Sequence, residues 1–95
     1  MDDIIWDWDD VPDSNVNHCL EHNVTTDEVE EVLRNRRNEV IFNDRTQTFN
    51  TFGFTAAGRH LLVGWIVVLN DPRTIYPVTA FDTPERQRLP HGKRK

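Results

Sequence analysis

Apolar residues recur at three different spacings along the chain, and each spacing predicts a different element. Ile4-Ile5-Trp6-Asp7-Trp8 mixes β-branched and aromatic residues and stops at Asp9-Asp10, which predicts a short strand with Ile4, Trp6 and Trp8 on one face. Pro12-Asp13 reads as a helix entry capped by Asp13 or Ser14, and Val16, Cys19, Leu20 and Asn23 follow at helical spacing. Thr25-Thr26-Asp27-Glu28 has the form of a capping box, with Val24 and Val29 placed for a hydrophobic staple. Val29, Val32 and Leu33 make the apolar stripe of that second helix. Its acids, Asp27, Glu28, Glu30 and Glu31, favour the positive end of the helix dipole, and Arg34, Arg36 and Arg37 the negative end.

After Asn38 the period shortens to that of strands. Glu39–Phe42 is one strand and Thr48–Thr55 the next, with Phe52 and Phe54 on one face and Phe49 on the other. Ala56-Ala57-Gly58-Arg59 predicts a hairpin turn with Gly58 left-handed. His60–Leu69 is apolar at both parities, as in a central strand covered on both faces. Asn70–Arg73 turns the chain into a last strand, Thr74–Phe81, which Pro77 assigns to an edge or a bulge. Thr83-Pro84-Glu85-Arg86 starts a short terminal helix. The order β-α-α-β-β-β-β predicts an α+β fold, two helices on an antiparallel sheet. Residues 1–89 form one domain and 90–95 a flexible basic tail.

Composition narrows the setting. The single cysteine excludes an internal disulfide and suits a reducing cytoplasm, and the acidic Met1-Asp2-Asp3 start lacks a signal peptide's form. No apolar run approaches a membrane span. The net charge of -5 is unevenly spread. Every Lys and Arg lies from Arg34 onward, whereas most of the acids precede it. Such a split offers a basic back half to a polyanion, or is simply a solvated surface.

Three stretches are similar, in order and spacing, to a known family. They are Trp8-Asp9 with His22-Asn23-Val24-Thr25, then Gly53-Phe54-Thr55-Ala56-Ala57-Gly58-Arg59, then Ile75-Tyr76-Pro77-Val78-Thr79-Ala80-Phe81 with Glu85-Arg86. From Trp6 to Arg86 the chain resembles the BrnT-like toxins of type II toxin-antitoxin pairs, small RelE/ParE-like proteins. Their pattern runs W-D, then K-H-G-V and an acidic helix, then G-x-T/S-x-x-G-R and an apolar strand, then an S/T-A segment with E-R. Here Glu21 stands for a common lysine and Asn23 for the glycine, while Tyr76 and Phe81 occupy a segment where the family usually carries arginines. The resemblance implies a RelE/ParE-like fold and a metal-independent ribonuclease, without cofactor, that inhibits translation. It also implies a cognate ribbon-helix-helix antitoxin, bound in a dimer or heterotetramer.

Metal-free RNA cleavage needs an activated 2′-hydroxyl, charge stabilisation at the phosphate and a proton for the leaving oxygen. Arg59 suits the phosphate because its planar fork stays charged, though it also reads as a solvated turn residue. Tyr76 is the candidate proton donor or stacking group, Glu85 the base, and Arg86 a second phosphate contact. Arg45 and Arg88 are candidate RNA-binding cations. Trp6 and Trp8, set among aspartates, suit an antitoxin's basic and apolar segment better than RNA. His60, opening the apolar strand, reads as a structural hydrogen-bonding residue. The missing arginines and the acidic balance support an alternative, a toxin-fold protein without catalysis that binds another protein.

His18-Cys19-Leu20-Glu21-His22 also matches H-x-x-E-H, a zinc-peptidase pattern. A catalytic zinc needs a third protein ligand and an open cleft, and a short helix with Cys19 and Leu20 turned to the core offers little room for either. The stretch reads instead as a helix ending, with His22 near the last carbonyls.

Overall fold

The computed structural model describes residues 3–7 and 11–84. It is an α+β fold: β1 (Asp3–Ile4), α1 (Asn15–Leu20), α2 (Thr26–Arg34), β2 (Glu39–Asn43), β3 (Thr48–Phe54), β4 (His60–Asn70) and β5 (Arg73–Asp82). The strands form one sheet in the order β1-β5-β4-β3-β2. Three antiparallel hairpin pairings join β2 through β5, and β1 closes the sheet parallel to β5, so the sheet is mostly rather than wholly antiparallel.

The first strand is shorter than its composition predicts. Asp3 and Ile4 pair with Thr74 and Ile75, and the Ile5 N–H adds one bond to the Ile75 carbonyl. Pairing then stops because a buried amide takes over. Asn15, 1% exposed, donates through Nδ2 to the carbonyls of Ile5 (3.0 Å) and Pro77 (2.9 Å) and accepts the Asp7 N–H at Oδ1 (2.9 Å). One side chain therefore satisfies backbone groups of the N-terminal segment and β5 that would otherwise be buried without partners.

Helix α1 is capped by Ser14, whose hydroxyl accepts the Asn17 N–H. It ends in a Schellman turn. Asn23 is left-handed (φ 61), Val24 N–H reaches the Cys19 carbonyl, and Asn23 N–H reaches that of Leu20. Asparagine tolerates that conformation better than most other side-chain-bearing residues. The capping box of α2 forms as its sequence predicts: Glu28 N–H donates to Thr25 Oγ1 and Thr25 N–H to Glu28 Oε1. Val24 and Val29 flank it, both fully buried.

Leu61, Val63 and Trp65 alternate along β4 onto the helix side, where they meet Ile75, Ala80, Cys19, Val24, Val29 and Val32. Full burial of each large aliphatic side chain contributes roughly 1.5–3 kcal/mol. Burial pushes the Cys19 thiol up to about 11, so it is an inert core residue. The expectation that the whole apolar strand is covered on both faces holds only for His60–Trp65; Val68 and Leu69 are about half exposed (47% and 53%) because they run past the helices. Pro77 sits at a bulge: Gly64 faces Thr79 and Trp65 faces Pro77, leaving Val78 unpaired. β5 lies between β4 and β1 in the sheet order, but β1 pairs only with Thr74 and Ile75, so among the described residues Pro77 has no strand on its β1 side and its carbonyl accepts from Asn15 instead. Thr83 and Pro84 carry no regular structure, and the rest of the expected terminal helix and the 90–95 tail lie outside the described residues.

Candidate functional site

The turn between β3 and β4 explains most of the motif Gly53–Arg59. Gly53 is buried where the Asn38 amide crosses β3 on its way to the Val32 carbonyl (2.8 Å) at the end of α2, and any Cβ at position 53 would collide with it. Thr55 closes the turn through its N–H to the Arg59 carbonyl and its own carbonyl to the Gly58 N–H. It leaves β3 in doing so, which is why that strand ends at Phe54. Gly58 has φ 90, the left-handed residue the pattern predicts. The Arg59 N–H is held by Thr55 Oγ1 (3.2 Å), and the guanidinium reaches across to the α1–α2 junction and to β5.

All five guanidinium N–H groups have acceptors there. Nε donates to Asp82 Oδ1 at 2.7 Å and Nη2 to Asp82 Oδ2 at 3.1 Å, a fork-to-fork pair. Nη2 also reaches the His22 carbonyl (3.1 Å), and Nη1 reaches the Asn23 carbonyl (2.6 Å) and Glu28 Oε1 (3.2 Å). The charge-assisted bond to Asp82 raises the Arg59 pKa further; burial opposes it next, and the attraction of Asp82 and Glu28 adds to the rise. Arg59 thus takes up carbonyls of the turn that follows α1, near the place the sequence suggested for His22. The His22 ring instead lies 5.7 Å from that of Phe81. Next to Arg59, Glu31 Oε2 accepts the Ala56 N–H at 2.5 Å.

A shallow depression of about 460 Å³, lined by His22, Asn23, Phe81 and Asp82, opens beside this corner. A phosphate entering it meets the Asp82 carboxylate and an arginine already saturated by internal acceptors. To grip the phosphate, Arg59 has to give up Asp82 or Glu28.

The other candidates do not gather around Arg59. Tyr76 faces Ile66, six residues along β4 from His60 and so about 20 Å from the Arg59 end. Its hydroxyl donates to Asp7 Oδ2 at 2.5 Å; that bond first, then burial, then the Asp7 charge push its pKa up to about 12. A phenol held this firmly is poorly matched to proton transfer near neutral pH. Arg45 is exposed in the β2–β3 turn, its N–H fixed by Asn43 Oδ1, at the same end as Tyr76. Trp6 is half-buried against the core and donates from Nε1 to Glu30 Oε2 (2.8 Å), so it ties the N-terminal segment to α2. Trp8, Glu85, Arg86 and Arg88 lie outside the described residues. His18 and His22 are exposed and Cys19 is buried between them; among the described residues no three His, Cys, Asp or Glu side chains converge as metal ligands.

Sequence reasoning missed the polar network of Asn15, Asp7 and Tyr76, and the use of Asn38 against Gly53. Asn15 carried one usable signal, a short amide at a helix start, but that pattern reads as a cap and not as a buried bridge. Also missed was a run of rings on the helix side beyond α2. Phe42 and Phe49 lie 4.9 Å apart, Phe49 stacks on Trp65 at 4.7 Å, and the Arg73 guanidinium lies 5.3 Å over Trp65.

Comparison with models of known families, with characterised proteins and with solved structures gives no match to this chain.

Proposed function

We propose that this chain is a divergent BrnT-like, RelE/ParE-type protein that works by binding a protein partner, the antitoxin of a type II pair, and not by cutting RNA. The carrying observation is Arg59: its five donors are consumed by Asp82, Glu28 and the carbonyls of His22 and Asn23, and Tyr76 stands at the far end of the strand. The family assignment rests on the ordered motifs. It is supported by the succession of a short first strand, two helices and a meander whose last strand returns beside the first. Partner binding is supported by a sheet that keeps large apolar residues at its surface, Val40, Ile41, Phe42 and Phe54 among them. The partner expected is a ribbon-helix-helix antitoxin bringing basic and apolar residues to the side of Trp6 and α2, where Asp27 is exposed.

A second reading keeps the ribonuclease. It is favoured by the place of Arg59, a quarter exposed (26%) beside an open depression, with Glu85, Arg86 and Arg88 following Asp82 closely in sequence. Expression of the lone chain in bacteria separates the two. The binding reading expects no growth arrest and no cleavage of total RNA by purified protein, with tight association to the product of an adjacent ribbon-helix-helix gene. Growth arrest relieved by a folded Arg59→Lys variant supports the ribonuclease instead.

A further inference from the structure

We draw no further inference here: the strongest candidate, the exposed apolar surface that Val40, Ile41 and Phe42 make on β2, carries nothing, because nothing in the structure shows what covers it.

Discussion

The two ends of β3 lead to opposite kinds of surface. At the Phe54 end the chain turns into Arg59, and Asp82 from β5, Glu28 from α2 and the carbonyls of His22 and Asn23 close over the guanidinium. Along the other flank of β3 lies β2, apolar, exposed and, among the described residues, paired only with β3. The corner is polar and saturated, whereas the edge is apolar and exposed. The difference shows that a charged residue's place in the sequence does not tell whether its charge is spent inside the fold or turned to solvent. The most chemically suggestive residue is used internally, and the plainest strand keeps its apolar side chains exposed.

Breaking the closed corner is expected to cost most. Gly53→Ala forces the Asn38 amide off its carbonyl at the end of α2 and is expected to destabilise by about 2–4 kcal/mol, measured by urea unfolding. Arg59→Ala, which strands two carbonyls of the α1–α2 turn and two carboxylates, is expected to cost about 2–3 kcal/mol, less than a fully buried pair because Asp82 is 58% exposed. Arg59→Lys restores less than half of that loss, since a single ammonium cannot reproduce the fork.

The pH dependence sharpens the contrast at the Tyr76 end. Folding raises the Tyr76 pKa from 10 to about 12, so the folded state holds a proton the unfolded chain has released. Its share of stability is fully present below pH 10 and is lost as the pH rises from 10 to about 12. Tyr76→Phe removes that share and flattens this part of the alkaline limb, leaving the contribution of Cys19, which starts from 9.0. Unfolding midpoints over an alkaline pH series check it. The smallest effect belongs to the open edge: Ile41→Thr keeps β propensity at an exposed position and is expected to change monomer stability by less than about 0.5 kcal/mol.

How much of this was legible in the sequence depended on the range of the interaction. The Thr25–Glu28 box, the left-handed Gly58 and the three hairpins are local, and the residue pattern carried each of them. The parallel return of β1 to β5 pairs residues 71 apart, such as Asp3 with Thr74, and no periodicity reports it. The pattern singles out Arg59, but the partners it meets lie between 23 and 37 residues away, so the pattern cannot distinguish a phosphate grip from an internal clamp. The charge split between front and back halves was visible too, although part of it is spent in folding: Glu28 meets Arg59, Glu31 the Ala56 amide and Asp7 the Tyr76 hydroxyl. Asn15 left no trace beyond a capping residue, because what it bridges is decided only when β1, α1 and β5 come together.

The central claim, that Arg59 is an internal clamp, is tested most directly by NMR of the arginine side chains. The Arg59 Nε–H signal, assigned by its loss in Arg59→Lys, reports the bond to Asp82. A resolved, slowly exchanging signal, unmoved when inorganic phosphate or single-stranded RNA is added, is the expected result. A rapidly exchanging signal, or one that shifts in a saturable way with RNA, contradicts the clamp and returns Arg59 to the role of phosphate ligand.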